Sequence, residues 1–274
     1  MKLPLTVIIP CKNEERNIRP CMESIIQLAD EVLVADSGST DRTMEIASEF
    51  PKTRIIQREY VTAGDFKNWA IPQAKHEWVL VVDADERVPL ELTREIEFEL
   101  SRGPSADGYF IYRDNHFMGH RMRFGDARTD HVMRLFHRDR CYYDGPSDHG
   151  EVVVNTGRIG YLKNKLVHYS VWSYDDVFRK YQRYTTLQAQ EWHAVGRNTS
   201  YFKLLLRPVF RFIREYLLQG GILDGKVGLQ QAWLAAFYTF LKQARLWELN
   251  HGLPQPDPEA ARRGHASAET KRAA

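Results

Sequence analysis

Four short runs of β-branched and aliphatic residues, separated by helix-like stretches, constrain the fold more than any other feature. They are Leu5-Thr6-Val7-Ile8-Ile9, Glu31-Val32-Leu33-Val34-Ala35, Arg54-Ile55-Ile56 and Trp78-Val79-Leu80-Val81-Val82. Between them, Glu14 to Leu28 sets Ile18, Met22, Ile25 and Ile26 at helical spacing, and Asp41 to Phe50 and Phe66 to Ala74 read as further helices. Strands that are apolar along their whole length are buried on both faces, the pattern of an α/β protein with a mainly parallel sheet between helices. Ligands in such sheets bind beyond the carboxyl ends of the strands. The polar residues that follow each run are therefore the candidates for a site.

The pattern changes twice along the chain. From Gly108 to about Tyr169 it is more β-like, with Tyr109-Phe110-Ile111-Tyr112, Val132 to Phe136 and Glu151 to Val154 as runs. Beyond Ser173 it turns helical: Asp175 to His193 with Ser173 as cap, an amphipathic Tyr201 to Leu218, and a largely apolar Val227 to Trp247. The expected organisation is a domain over residues 1–172, a helical region over 173–252, and a tail over 253–274 whose Ala, Arg, Pro and Glu content reads as disordered. Thirty-eight basic against thirty-six acidic residues give a net charge of +2, which makes no case for nucleic-acid binding. Three cysteines, an odd number, argue against a disulfide framework and for a reducing, cytoplasmic compartment. No stretch reaches the roughly 18 apolar residues of a membrane span, and Lys12, Glu14, Glu15 and Arg16 follow the first apolar run too closely for a signal peptide.

Acidic residues close two of the strands. The second ends in Asp36-Ser37-Gly38-Ser39-Thr40-Asp41, a carboxylate and a turn with Thr40 or Asp41 as cap of the next helix. The fourth ends in Asp83-Ala84-Asp85-Glu86. Residues i and i+2 of an extended segment point the same way. Two neighbouring carboxylates repel unless a cation or hydrogen-bond donors lie between them. Hard oxygen ligands in an open site suit Mg²⁺ or Mn²⁺ held together with substrate phosphates. The plain alternative is a pair of well-capped, solvated strand ends.

Together these segments resemble the family 2 glycosyltransferases. Val7-Ile8-Ile9-Pro10-Cys11-Lys12-Asn13-Glu14-Glu15, Asp36 to Thr43 and Val82-Asp83-Ala84-Asp85-Glu86-Arg87 carry the resemblance, in that order, and it is nearest to the branch of lipopolysaccharide core glycosyltransferases. Asp148-His149-Gly150-Glu151 and Val167-His168-Tyr169-Ser170 extend it less closely. The resemblance implies the A-type, Rossmann-like glycosyltransferase fold with a helical C-terminal extension. It implies an inverting transfer from a nucleotide-diphosphate sugar, usually uridine-linked, to a glycan acceptor, with Mn²⁺ or Mg²⁺ as cofactor. Carried over by position, Pro10, Asn13 and Glu14 lie along the nucleotide, Asp36 accepts from the base, Asp83 contacts the ribose and Asp85 holds the metal. Lys67 is then expected near the base or phosphates.

The chemistry needs a cation against the departing diphosphate and a carboxylate base for the acceptor hydroxyl. Glu151 is the first candidate for the base and Asp148 the second. The branch often has its His and Glu adjacent, whereas Gly150 separates them here. His168 is a candidate metal ligand or a structural histidine. His116, His120, His131 and His137 read as surface or acceptor-side residues, and Arg134 as facing the phosphates, the acceptor or a sheet ion pair. Lys203, Arg207, Arg211 and Arg214 make a basic stripe beside Phe202, Leu205, Leu206, Val209 and Phe210. That combination fits a helix lying on an anionic membrane surface at the cytoplasmic leaflet, with a lipid-linked acceptor. Pro208 is expected to start or kink a helix there. Two other readings compete. One is a non-catalytic nucleotide-sugar-binding or assembly protein. The other is an Asp-x-Asp phosphohydrolase, which places its nucleophile on the first strand rather than the fourth.

Overall fold

The structure, a computed structural model, describes residues 2–145 and 150–252. The apolar runs form the strands expected of them. β1 (Leu5–Cys11), β2 (Glu31–Asp36), β3 (Thr53–Gln57) and β4 (Trp78–Val81) pair in parallel in the order β3-β2-β1-β4. Helices α1 (Glu15–Ile25), α2 (Thr43–Ser48) and α3 (Ala63–Ala70) connect them. α1 contains Pro20, which removes one helical hydrogen bond. It also buries Ile18, Met22 and Ile25, each worth about 1.5–3 kcal/mol. That burial outweighs a proline cost of about 3 kcal/mol.

Beyond β4 the sheet becomes mixed. β5 (Glu86–Arg87), α4 (Leu90–Arg102), β6 (Gly108–Phe117), β7 (His120–Arg121) and β8 (His131–His137) follow in the chain, and β8 runs antiparallel between β4 and β6. After the hairpin of β9 (Cys141–Tyr143) and β10 (Val152–Val154) come β11 (Ile159–Tyr161) and β12 (Leu166–Val171). The main path is β3-β2-β1-β4-β8-β6-β12-β5, with β12 parallel to β6 and antiparallel to β5. One face carries α1, α2 and α4 over Val7, Ile9, Val32 and Leu80, with Leu92 of α4 in the same core. The other carries α3 and the β9–β10 hairpin over Ile8, Leu33, Val81 and Phe136. Asp107, buried, ties this half together by accepting from Arg140, Arg158 and Thr156. Those bonds hold its carboxyl well below the usual range, the Arg158 hydrogen bond first. Cys11, Cys21 and Cys141 are buried free thiols, and burial pushes Cys141 up to about 12.

The chain divides into two compact units. The first holds the chain up to Asp176 together with Glu215–Leu229, and so contains the whole sheet. The second holds Val177–Arg214 and the chain from Gln230. It is helical: α5 (Tyr174–Ala194) supplies most of its first part, α6 (Tyr201–Ile213) follows, and α7 (Gly225–His251) supplies the rest. Asp176 donates its N–H to the Ser173 hydroxyl at 3.1 Å, the expected cap. The ring contacts Tyr181–Tyr238 at 4.8 Å and Phe212–Trp233 at 4.6 Å pack the second unit. Pro208 neither starts nor ends α6. The α-helix runs through it to Ile213 and passes into a π-helical turn at Arg214–Leu218. The proline lies in the third turn, where its missing N–H costs a single bond. Among the described residues no helix is long and apolar enough to cross a membrane.

Candidate active site

β1, β2 and β4 deliver their polar ends to one edge of the sheet. Cys11 pairs with Asp36, and Ile8 pairs with Val81. Asn13 takes the left-handed conformation, φ 54°, which asparagine tolerates better than most residues. Its N–H donates to the Ser39 hydroxyl at 2.9 Å and its side-chain oxygen accepts from Thr40 N–H at 2.7 Å. Glu14 N–H donates to the Thr43 hydroxyl at 2.8 Å. The two strand-end loops are thus laced into one floor. Asp36 is fully buried and accepts from Ser39 N–H at 3.0 Å, the Ser39 hydroxyl at 2.6 Å and Gln57 at 3.0 Å. As placed, it shapes the Ser37–Ser39 turn. The N-cap of α2 is Arg42, not Thr40 or Asp41, and Asp41, one residue earlier, accepts Thr43 N–H at 3.0 Å.

Asp83 and Asp85 do not share an extended segment. β4 ends at Val81, and a turn closes with Glu86 N–H on the Asp83 carbonyl at 2.8 Å. The two carboxylates consequently take different partners. Asp83 pairs with Arg134 and, at 3.4 Å, with Lys67 of α3. Arg134 also bonds Glu86 at 2.7 Å, and Glu86 is fully buried and accepts Asp83 N–H at 3.1 Å. Burial acts to raise the Asp83 carboxyl, but Arg134 and Lys67 outweigh it and hold the group far below the usual carboxylate range. Burial acts to lower Lys67, but attraction to Asp83, Tyr143 and Glu86 together outweighs it, and the group is raised.

Asp85 faces β12. Its Oδ2 lies 3.6 Å from His168 Nε2. On the other side of the ring, His168 Nδ1 lies 2.6 Å from Asn115 Oδ1, and Asn115 Nδ2 donates to Asp130 at 2.7 Å. Arg113 holds Asp130 with two bonds, 2.9 and 2.8 Å. Burial would raise Asp130, and the Arg113 bonds bring it below its ordinary value. The cluster holds four carboxylates, Asp83, Asp85, Glu86 and Asp130, against three cations, Lys67, Arg113 and Arg134. Of the carboxylate oxygen and imidazole nitrogen that stand 3.6 Å apart, the oxygen suits Mn²⁺ or Mg²⁺, and the nitrogen favours the softer Mn²⁺ over Mg²⁺.

A second acidic group, Glu77, His137 and Asp139, lies at the opposite ends of β4 and β8. His137 is buried, not a surface residue, because it packs edge-on against Trp78. Its Nδ1 accepts Asp139 N–H at 3.3 Å, so this group is no part of the strand-end site.

The candidate base stands on the hairpin beside α3. Asn68 clamps Tyr143 by two bonds of 2.8 Å, and Lys67 lies over the Tyr143 ring at 5.1 Å. Glu151 is exposed just before β10, its N–H donating to Asp144 at 2.7 Å. A Cβ on Gly150 would stand 2.5 Å from the Asp144 carbonyl oxygen. This is a physical reason for glycine between His149 and Glu151. Asp148 and His149 lie outside the described residues. The residues that sequence reasoning missed are Glu86, Arg113, Asn115 and Asp130. Arg134, an arginine inside an apolar strand, was the one visible signal of a buried ion pair.

Residues 6–157, more than half of the chain, match the family description "Glycosyl transferase family 2". The chain belongs to this family. The lipopolysaccharide core biosynthesis glycosyltransferase LpsC of Rhizobium meliloti is 27% identical over 265 residues, covering 95% of this chain and 98% of LpsC. An uncharacterized glycosyltransferase of Rickettsia typhi is 27% identical over 260 residues, covering 90% and 87%. Among solved structures, S. aureus TarS 1–349 in complex with UDP gives a TM-score of 0.47 at 16% identity, with 93% of each chain covered. Mannosyltransferase PcManGT from Pyrobaculum calidifontis, in complex with GDP-Man and Mn²⁺, gives 0.49 at 17%, covering 98% of this chain and 80% of that one. The glycosyltransferase has the mixed α/β A-type fold of its family, with a helical C-terminal part.

Proposed function

We propose that this glycosyltransferase moves a sugar from a nucleotide-diphosphate donor, a uridine diphosphate sugar, to a glycan hydroxyl with inversion, in the synthesis of a cell-envelope glycan such as the lipopolysaccharide core. One observation carries the reading. Asp85 and His168 meet at the carboxyl ends of the strands, beside an Asp83 already neutralised by Lys67 and Arg134. Asp85 and His168 would hold the divalent ion, which stabilises the departing diphosphate as a Lewis acid. Asp83 is assigned to the ribose, and Lys67 adds positive charge on the phosphate side. Pro10, Asn13 and Glu14 line the nucleotide, and Asp36 fixes the turn that receives the base.

Glu151 takes the acceptor proton as the sugar transfers, and Asp148 is the second choice. Glu151→Gln is expected to lower kcat about 10²- to 10⁴-fold with donor affinity retained. Asp148→Asn should stay within a few-fold of the parent. Steady-state kinetics with the two variants decide: the reverse pattern moves the base to Asp148, and two unaffected variants remove a carboxylate base from this turn.

The membrane reading rests on α6. None of its residues is buried, and Tyr201, Phe202, Leu205 and Phe210 are exposed beside Lys203 and Arg207, with no acidic residue from 201 to 214. Such a face fits an anionic leaflet. We infer that residues 173–252 lie at the cytoplasmic membrane surface and that residues 1–172 are the catalytic domain. Vesicle flotation tests it. Binding to vesicles containing anionic lipid, lost at high salt and in Arg207→Glu, is expected, whereas equal recovery with neutral vesicles contradicts the electrostatic part.

A further inference from the structure

The partners of His168 come from two other strand regions, and their order has a chemical direction. β12 lies beside β6 in parallel register, with His168 opposite Asn115. Arg113 and Asn115 are two apart on β6, so their side chains share one face, and both reach Asp130. Asp130, ionised between Arg113 and Asn115, can only accept hydrogen bonds. The Asn115 atom that faces it at 2.7 Å must therefore be the NH₂ group. This leaves the amide oxygen on the His168 side, at 2.6 Å from Nδ1. An amide oxygen also only accepts, so Nδ1 must carry the proton. In the neutral ring the lone pair then sits on Nε2, the nitrogen 3.6 Å from Asp85.

We propose that Asn115 is a positioning residue for His168: oriented by Asp130 and Arg113, its amide fixes the imidazole as the Nδ1–H form and turns the Nε2 lone pair toward Asp85. This rests on the metal-site reading given above and deepens it. Each member earns its place by satisfying the next. The Arg113 fork fixes the carboxylate, the carboxylate fixes the amide, and the amide fixes the ring. Arg113 also approaches Glu86 at 3.8 Å. The relay therefore joins the Arg134 pair, and one network runs from Asp83 round to Asp85. Asn115 is 6% exposed, so water does not compete for its amide. A histidine that served packing alone would need neither a fixed tautomer nor a lone pair aimed at a carboxylate.

The test reads the tautomer directly. In full-length protein labelled with ¹⁵N-histidine, metal-free and at a pH where the ring is neutral, the His168 resonances are assigned by their loss in His168→Gln. The expected spectrum has a protonated Nδ1 and an unprotonated, pyridine-like Nε2. An Nε2–H tautomer in the parent protein overturns the proposal, whether or not any variant folds. Asn115→Leu, checked for a cooperative melt, should show a mixture of tautomers or the Nε2–H form. Its Mn²⁺ dissociation constant, read by titration with Mn²⁺ alone, should rise about 10- to 100-fold, as for other residues that orient a metal ligand. Parental tautomer and Mn²⁺ affinity in Asn115→Leu, with affinity lost in His168→Gln, overturn the relay and leave the metal site standing. Unchanged Mn²⁺ affinity in His168→Gln overturns the metal-site reading itself, and the role proposed for Asn115 with it.

Discussion

Asp85→Asn is expected to lower glycosyl transfer about 10³-fold at saturating donor and metal. Loss of a metal's charge stabilisation in the transition state is worth several kcal/mol, and ~4 kcal/mol corresponds to about three orders of magnitude in rate. The substitution keeps the shape of the side chain and removes its charge. The Asp85 side chain stands 3.6 Å from His168, and its backbone carbonyl, which the substitution leaves intact, accepts Tyr169 N–H at 2.9 Å. The turn should therefore stay folded. A melt close to that of the parent, together with lost transfer and lost Mn²⁺ dependence, is the predicted combination. Transfer within ten-fold of the parent would place the metal, or the chemistry, elsewhere.

The second large effect is on stability. Arg134→Met should destabilise the protein by about 3–5 kcal/mol, the usual cost of removing one partner from a buried ion pair. Arg134 and Glu86 are 3% and 0% exposed, so water cannot replace the lost partner. Against a typical total of about 5–15 kcal/mol, such a loss is visible at once in urea unfolding. The double variant Arg134→Met/Glu86→Gln should recover part of it. The neutral amide still accepts Asp83 N–H and leaves no buried charge at that position. A single variant that costs less than about 1 kcal/mol, in the range of exposed pairs, would show that the network is solvated and carries little weight.

The same network sets an acid limit. The Asp83 carboxyl is depressed in the folded protein despite its burial, so its stabilising contribution is complete above the unfolded carboxylate value, about 3.9, and is lost as pH falls below it. Asp130 shifts in the same direction. In Arg134→Met the acid-side slope should flatten, because the group then titrates closer to its unfolded value.

The carboxyl ends of β1, β2 and β4 were readable from sequence because each lies next to its own apolar run. Asp36 closes β2, where it is buried in its own turn, and Asp83 and Asp85 follow β4. Their partners were not readable in the same way. Arg134 meets Asp83 only because β8 inserts between β4 and β6, and Asn115 meets His168 only because β6 and β12 pair in one register. These are pairings of segments more than fifty residues apart, and local periodicity does not report them. The separate aims of Asp83 and Asp85 depended on a turn where an extended segment was expected. α4 carries its own signal in the sequence, Leu92, Ile96 and Leu100 four apart after Pro89. Pro208 does not start a helix. In the third turn of a helix it removes one bond, and α6 continues past it.

The central claim is that the strand ends form a metal-dependent site for a nucleoside diphosphate. Its most direct test is a thermal-shift panel of uridine, guanosine and cytidine diphosphates, each with and without Mn²⁺. At about 100 times its dissociation constant a ligand stabilises the fold by roughly 2.7 kcal/mol, enough to move the melt clearly. The account predicts a shift with uridine diphosphate that requires Mn²⁺ and disappears in Asp85→Asn. A folded protein whose melt none of the three nucleotides moves, with or without the metal, would contradict it.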